Sequence, residues 1–149
     1  MKFRKAERAD VREIVRMLAD DEWGSKRERY EDPLPEAYYE AFAEMEAQGG
    51  NQIVLAVEED AIIGCLQLVI IPGLGRLGMR RAIIEAVRVD RVYRGRGIGQ
   101  ALMREAIDIA RSEKCQLVQL TTDKSRSDAH RFYHRLGFEA SHEGMKLFL

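Results

Sequence analysis

The spacing of apolar residues divides the first third of the chain into a short strand and two helices. Apolar residues recur three and four positions apart over residues 11–18 and again over residues 35–47, which predicts two amphipathic helices. Asp10, followed three residues later by Glu13, has the spacing of a capping box for the first helix. Residues 2–6 precede this helix as a short strand, so the chain begins with the order β-α-α.

Runs of β-branched residues dominate the middle of the chain. Residues 52–57 and 61–71 flank an acidic turn, and this pattern predicts a hairpin. Residues 81–89 form another strand-like run after a loop rich in glycine. The elements predicted beyond it are a periodic helix over 100–114, a strand over 115–121, a short helix over 128–136 and closing strand structure over 138–149. This order of elements predicts one mixed α/β domain over residues 1–149.

The composition narrows the class of protein. The chain has no internal repeat or low-complexity linker, and no apolar run approaches the roughly 20 residues that a membrane helix needs. Its first residues also lack the apolar stretch of a signal peptide. The formal net charge of −1 provides no field that would attract nucleic acid. We therefore expect a cytoplasmic protein with no membrane or nucleic-acid partner, and a homodimer is compatible with the sequence.

Cysteines and histidines give no metal signature. Cys65 and Cys115 each lie within an apolar, strand-like segment, and neither has a cysteine or histidine at ligand spacing. His130 and His134 lie four positions apart on the short predicted helix, but the sequence places no third ligand beside them. We therefore expect two buried thiols and no bound metal.

A glycine-rich stretch between a predicted strand and a predicted helix carries the strongest chemical signal. The free N–H groups at the start of a helix, together with the helix dipole, favour phosphate binding. Glycines let the backbone approach such a ligand closely, and arginines add positive charge beside it. The stretch contains two arginines and three glycines, Arg94, Gly95, Arg96, Gly97 and Gly99.

Two better-known phosphate-binding loops do not fit this stretch. The dinucleotide fingerprint needs a glycine where the chain has Gln100. A P-loop needs Gly-Lys-Ser or Gly-Lys-Thr, which occurs nowhere in the chain. A simple turn at a helix start would not require three glycines and two arginines. What fits is the pattern Arg-x-x-Gly-x-Gly between a strand and a helix.

This pattern resembles the hallmark of the GNAT superfamily of N-acetyltransferases, a strand followed by Gln/Arg-x-x-Gly-x-Gly/Ala and a helix. A second block, from Ala129 to Phe138, is similar to the family's Ala-x-x-x-Tyr-x-x-Leu-Gly-Phe motif. The resemblance is detailed over about residues 83–138 and extends to the whole chain through the order of elements. It implies a GNAT fold, with a central mixed, twisted sheet flanked by helices and splayed between the strands around 81–89 and 115–121.

The resemblance also implies acetyl-CoA as the cosubstrate, bound in the splay. In the family, the strand backbone pairs with the pantetheine arm and the loop amides hold the pyrophosphate. Many members also carry an asparagine that binds the cofactor arm three residues before the alanine of the second motif, where this chain has Arg126. The implied cofactor-binding residues are therefore Val87, Arg88, Val89, Arg94, Gly95, Arg96, Gly97, Ile98, Gly99, Gln100 and Arg126.

Acetyl transfer to an amine benefits from a base and an acid. Glu85 is the candidate base, because a carboxylate inside an apolar strand is costly unless it faces a polar cleft. Its position also matches the strand glutamate of spermidine/spermine-type members; a solvated glutamate or an ion pair with Arg81 or Arg88 is the alternative. The resemblance implies Tyr133 as the acid for the departing thiolate, and a packed aromatic ring on the last helix is its alternative.

The sequence thus predicts an enzyme that moves the acetyl group of acetyl-CoA to a primary amine of a small molecule or peptide by direct attack. A non-catalytic acyl-CoA-binding or sensing module is the alternative from a different class. The acceptor class stays open among polyamines or other small amines, amino acids, aminoglycoside-like compounds and protein amines.

Overall fold

Five strands form one mixed sheet in the order β1-β2-β3-β4-β5. The computed structural model describes residues 1–149. The first four strands pair antiparallel and the last joins its neighbour in parallel, which confirms the expected hairpin and the mixed sheet. The strands are β1 Lys2–Lys5, β2 Asn51–Glu58, β3 Ala61–Ile71, β4 Arg81–Val89 and β5 Leu117–Gln119.

Helices lie on both faces of this sheet, and none of them is long and apolar enough to cross a membrane. The four predicted helices are all present, with ends shifted by at most two residues. The helix α2 falls in a polar stretch, and four residues are too few to show a helical period. The helical segments are α1 Val11–Leu18, α2 Gly24–Arg27, α3 Glu36–Gln48, the single turn α4 Gly75–Gly78, α5 Ile98–Ser112 and α6 Ser127–Arg135.

Two apolar clusters lie on opposite faces of the sheet. On one face, Leu102 and Met103 of α5 pack in a cluster that includes Leu66 of β3. On the other face, α1 and α3 cover Leu55 and Cys65. Neighbouring residues of β3 enter different clusters because successive side chains of a strand point to opposite faces. Burial of Cys65 confirms the expectation for this thiol and raises its pKa to about 12.

The strands β4 and β5 remain together for only three residues. Arg81–Ile83 pairs with Leu117–Gln119, and no pairing follows beyond Ile83. From there the edge of β4 that faces away from β3 has no strand partner. The predicted splay is confirmed, and it leaves open backbone N–H and C=O groups along the second part of β4.

A bulge interrupts β4 at Ala86. Between its pairs with Gln67 and Cys65, β4 runs from Glu85 to Arg88 and so contains one residue more than β3. Ala86 has a φ of 54°, a left-handed conformation that costs a non-glycine residue about 1–2 kcal/mol. The extra residue reverses the alternation of side chains between the first and second parts of β4.

The expected strand structure over residues 138–149 is wrong. No backbone hydrogen bond involves residues 139–149, and the side chains there are exposed. The segment has alternating apolar residues, as a strand would, but no other strand of the chain lies alongside it. The strand predicted over 115–121 is also shorter than expected, because β4 diverges from it after Gln119.

The expected capping box between Asp10 and Glu13 is wrong as well. The Asp10 carboxylate instead accepts the Glu7 N–H at 2.8 Å and pairs with Arg4 at 2.7 Å. Glu13 pairs with Arg16 at 2.8 Å. The polar cap therefore begins three residues earlier, at the short 3-10 turn that precedes α1.

Candidate active site

The glycine loop opens α5 with free backbone donors. Gly95 and Gly97 have φ values of 78° and 77°, a left-handed conformation that glycine adopts without the usual steric cost. The first helical hydrogen bond of α5 runs from Ala101 N–H to Gly97 C=O. The N–H groups of the three residues between them therefore have no helical acceptor, at the positive end of the helix dipole.

A cavity of about 420 Å³ lies directly over this loop. Its lining includes six predicted cofactor-binding residues of the loop and Val89, the last residue of β4. One face of α6 and the residue after it complete the lining. No atom lies within 4 Å of the place that a side chain would take at Gly95 or Gly97, so ligand groups can approach the backbone there. The residues around the cavity fit a pyrophosphate. They are Val89, Arg94, Gly95, Gly97, Ile98, Gly99, Gln100, Phe132, Arg135 and Leu136.

The two arginines of the loop behave differently. The Nε of Arg94 donates to Val89 C=O at 3.2 Å, and its guanidinium is 3.7 Å from Asp20, at the rim of the cavity. Arg96 turns away, with its guanidinium 3.1 Å from the Glu58 carboxylate and over the Tyr93 ring. Of these two arginines, only Arg94 lines the cavity.

Two aspartates that follow α1 hold the end of β4. The Asp20 carboxylate lies 2.5 Å from Arg91, and Asp21 lies 3.3 Å from the Nε of Arg88. The Nη1 of Arg88 also donates to Val87 C=O at 2.9 Å. The loop between α1 and α2 is thereby tied to the strand that is expected to bind pantetheine.

Asp90, directly after β4, forms a more buried ion pair between this region and α1. It pairs with Arg16 of α1 at 2.5 Å and accepts the Val92 N–H at 2.9 Å. Burial of Asp90 on its own raises the pKa of this carboxyl, but Arg16 and the Val92 N–H outweigh that effect, so the pKa lies below its usual range. The carboxylate is therefore charged at neutral pH.

Glu85 is exposed and has no ion pair or hydrogen bond. It lies opposite Gln67, whose side chain donates to Asn51 at 2.9 Å, on the face of the sheet that α1 and α3 cover. The alternative ion pairs with Arg81 or Arg88 do not form, since Arg88 pairs with Asp21 instead. Glu85 is thus free to contact a ligand on that face of the sheet.

Tyr133 lies on the other side of β4. Like Val87 and Val89, it packs against the apolar cluster beneath α5, and its ring lies near the rings of Phe132 and Phe138, whose centroids are 5.2 and 6.0 Å from its own. Burial raises the pKa of the Tyr133 phenol, and nearby guanidinium groups of Arg126 and Arg88 only partly oppose this rise. The phenol is therefore protonated at neutral pH and can act as a proton donor.

Arg126 is exposed at the start of α6, without an ion pair. His130, on the same helix, is 3.0 Å from Asp123 C=O, and His142 contacts Ser141. No three His, Cys, Asp or Glu side chains gather closely enough to hold a metal ion. Neither histidine lies among the residues that surround the cavity.

Sequence reasoning missed two groups of residues in this region. Phe132, Arg135 and Leu136 line the cavity, and their place inside the second motif was the signal that could have found them. Asp20 and Asp21 lie in a polar stretch without a motif, so nothing in the sequence pointed to their contacts with the arginines of β4 and the loop.

Comparisons with known proteins agree with this geometry. The sequence profile of the Acetyltransferase (GNAT) family matches residues 15–138. The chain therefore belongs to the GNAT acetyltransferase family. The match includes both sequence motifs, β4, the glycine loop and α6.

Two curated relatives share the name of one enzyme. The chain is 39% identical over 86 residues to glucosamine 6-phosphate N-acetyltransferase of Trypanosoma brucei brucei, covering 58% of this chain and 56% of that protein. It is 32% identical over 125 residues to glucosamine 6-phosphate N-acetyltransferase 1 of Oryza sativa subsp. japonica, covering 78% and 71%. The chain thus spans little more than half the length of the trypanosomal relative.

A solved structure matches along nearly the whole chain. It is a protein from Bacillus halodurans C-125, called a transcriptional regulator, with 47% identity, a TM-score of 0.96 and coverage of 99% of both chains. An acetyltransferase of Trypanosoma brucei has 29% identity, a TM-score of 0.80 and coverage of 99% of both chains. The fold is therefore the GNAT fold.

Proposed function

We propose that this chain transfers the acetyl group of acetyl-CoA to the primary amine of a small molecule. The observation that carries the proposal is the continuity of the cavity with the open edge of β4. Free N–H groups at the start of α5 are suited to the pyrophosphate, and the unpaired backbone beyond Ile83 is suited to an extended pantetheine arm, by the same hydrogen bonds that would add a strand.

The two candidate catalytic residues, Glu85 and Tyr133, lie on different sides of β4. Bound acetyl-CoA supplies an activated acetyl group as a thioester. Glu85 accepts a proton from the amine, directly or through a water molecule, while the new N–C bond forms. Tyr133 gives its phenolic proton to the sulfur as the C–S bond breaks, and the phenolate then recovers a proton from solvent.

The acceptor that we propose is a small amine that also carries a phosphate or phosphonate group, with glucosamine 6-phosphate as the first candidate. The trypanosomal and rice relatives are named for that sugar. A third relative, 45% identical over 49 residues, is aminoalkylphosphonate N-acetyltransferase of Salmonella typhimurium. In this chain, Arg81 on the strand of Glu85 and Arg126 near Tyr133 are exposed without ion pairs, so either guanidinium is free to bind a phosphoryl group.

The test is release of free CoA from acetyl-CoA, measured with a thiol reagent across matched amines. Glucosamine 6-phosphate should have a kcat/KM at least tenfold above that of glucosamine, and 2-aminoethylphosphonate should exceed ethylamine in the same way. Equal rates within each pair would overturn the phosphoryl preference but leave the acetyltransferase proposal standing. No turnover with any amine, including spermidine and an N-terminal peptide, would overturn the acetyltransferase proposal itself.

A non-catalytic acyl-CoA sensor is the second candidate, favoured by the name of the Bacillus halodurans relative. Such a module would bind acetyl-CoA through the glycine loop but would have no use for Glu85 and Tyr133. Calorimetry together with the amine panel separates the two, because a sensor binds acetyl-CoA without releasing CoA in the presence of any acceptor.

A further inference from the structure

Gln67 of β3 is the residue directly opposite Glu85 in the antiparallel pair of β3 and β4. Residues paired in this way project from the same face of a sheet, with Cβ atoms about 5 Å apart. The pair precedes the bulge at Ala86, so the bulge does not turn the two side chains to different faces. Gln67 and Glu85 are therefore close enough to contact the same group of a ligand.

The sheet is open around this pair. The apolar cluster beneath α1 and α3 includes residues of β2 and of β3 as far as Cys65, but it includes none of β4. Glu85 is exposed and Gln67 is half-buried. The next pair on the same face, Val69 and Ile83, is also only partly buried. A ligand can therefore reach Gln67 and Glu85 from this face.

Three side-chain amides, which we call the amide row, orient Gln67. The Nδ2 of Asn51 donates to Gln48 Oε1, and the Nε2 of Gln67 donates to Asn51 Oδ1, both at 2.9 Å. Asn51 belongs to β2, which lies on the side of β3 away from β4, so the NH₂ group of Gln67 is turned away from Glu85. The Oε1 of Gln67 forms no hydrogen bond within the protein. A free amide oxygen and a free carboxylate thus lie side by side without a donor.

We propose that Gln67 Oε1 and the Glu85 carboxylate together bind the nitrogen of the acceptor, and that Gln67 makes the enzyme prefer primary to secondary amines. This inference rests on the proposed acetyl transfer. Both groups only accept hydrogen bonds. A neutral primary amine is their complement, because it has two N–H donors and one lone pair.

The two hydrogens of the amine have different fates in the reaction. As the N–C bond forms and the C–S bond breaks, one proton passes to Glu85. The other hydrogen, which Gln67 holds, stays on the nitrogen of the product amide. A secondary amine has a single hydrogen, which Glu85 must accept, so it leaves the Gln67 oxygen without a donor. A site built to hold an N–H group discriminates against an analogue that lacks it.

The test measures release of free CoA with the primary amine that reacts fastest and with its N-methyl derivative. The wild type should prefer the primary amine by at least about tenfold in kcat/KM. Gln67→Met keeps the length of the side chain but removes the amide. It should lower kcat/KM for the primary amine by about tenfold and leave that for the N-methyl derivative unchanged. The matched control is Gln52→Met on β2, which pairs with Leu68 on the opposite face and should keep the wild-type preference.

Asn51 is a positioning residue, and two substitutions there test the direction of the amide row. In the reverse direction the NH₂ group of Gln67 would turn toward Glu85 and occupy its carboxylate. Asn51→Asp has only acceptor oxygens, so it holds the Gln67 amide in the observed orientation and should keep the preference for the primary amine. Asn51→Leu, of similar size, releases the amide and should lower that preference severalfold.

The outcomes separate this inference from the proposed function. If the wild type acetylates both amines equally, or if Gln67→Met loses the same factor on both, Gln67 has no role in amine choice and the acetyltransferase proposal still stands. Loss of the preference in Asn51→Asp would also overturn the inference, because the functional amide row would then run in the reverse direction. A wild type that acetylates no amine would overturn both proposals. Gln67→Met should bind acetyl-CoA with wild-type affinity in calorimetry; if it does not fold, the two Asn51 variants decide the result.

Discussion

The proposed cofactor site and the proposed catalytic residues are built from different parts of the protein. The proposed cofactor site uses backbone: left-handed glycines, the free amides of α5 and the open strand edge. The proposed catalytic residues are separate side chains: Glu85, beside Arg81 on what we propose as the acceptor side of β4, and Tyr133, from a distant helix on the opposite side. A backbone site depends on local conformation and therefore leaves a continuous motif, whereas a side-chain site leaves isolated residues. This difference explains why the donor could be named before the acceptor.

Gly97→Val should have the largest effect, a loss of CoA affinity, because it changes the backbone of the proposed cofactor site directly. Valine at a φ of 77° is strongly disfavoured, and its side chain would occupy the space over the loop amides. We expect CoA affinity to fall by about 100-fold or more, measured by calorimetry. Gly49→Val is the matched control: Gly49 has a φ of 72° but lies at the end of α3, so it should lower stability and keep CoA binding. An equal loss of CoA affinity in Gly97→Val and Gly49→Val would mean that misfolding, and not the altered loop, weakens CoA binding.

Glu85→Gln tests the acceptor side and should lower kcat/KM by roughly 100-fold near neutral pH. The amide keeps the shape of the side chain but cannot accept the proton of the amine. The deficit should shrink as the pH approaches the pKa of the acceptor amine, because the amine then loses its proton to solvent. The exposed Glu44→Gln in α3 serves as control. A deficit that does not change with pH would assign Glu85 a role in binding instead of proton transfer.

Tyr133→Phe should have a smaller effect, a loss of roughly tenfold in kcat with CoA binding preserved. A thiolate leaves more easily than an amine or alkoxide since the pKa of a thiol is about 8.5, so the acid contributes less than the base. The raised pKa of Tyr133 keeps the phenol protonated through neutral pH, and its advantage over phenylalanine should disappear only as the pH rises through that raised value. The exposed Tyr30→Phe is the control. An unchanged kcat, where chemistry limits the rate, would leave Tyr133 a packing residue.

Asp20→Asn should have the smallest effect, a change in CoA affinity. It alters a side chain that contacts an arginine of the glycine loop. Asp20 is 3.7 Å from Arg94, so it competes with a bound phosphate for that guanidinium. Removing its charge should strengthen CoA binding by about two- to fivefold, the scale of a surface ion pair. Glu58→Gln releases Arg96 in the same manner, but Arg96 does not line the cavity and CoA affinity should not change. Weaker binding in Asp20→Asn would show that the aspartate orients Arg94 for the cofactor.

Local patterns predicted most of the fold. The hairpin and the long helix α5 follow from hydrophobic periods, the splay was implied by the resemblance to the GNAT family, and all three are present. Predictions failed where a distant partner decides the outcome. Asp10 caps an earlier turn because its carboxylate accepts hydrogen bonds from Arg4 and the Glu7 N–H. Residues 138–149 do not form a strand because no other strand of the chain pairs with them.

In the candidate site, too, local features could be predicted and contacts between distant segments could not. The place of the loop from Arg94 to Gln100 between β4 and α5 could be predicted, because the motif is local, and all of its residues except Arg96 line the cavity. The ties from Asp20 and Asp21 to the arginines of β4 and the loop could not be predicted, since they join segments about 70 residues apart. Exposure of Glu85 was equally out of reach, because it depends on which helix covers that part of the sheet.

Ala86 also limits how β4 can change in length. Its extra residue allows Ile84 and Val87, three positions apart, to enter the same cluster. Deleting Ala86 would restore regular alternation, with Val87 opposite Leu66 and with Ile84, Val87 and Val89 still on one face. Deleting a residue elsewhere in β4 would turn part of the strand over unless the bulge were lost with it. Removal of the bulge residue should therefore be tolerated best, and a gap in homologous sequences across residues 81–89 should fall at Ala86.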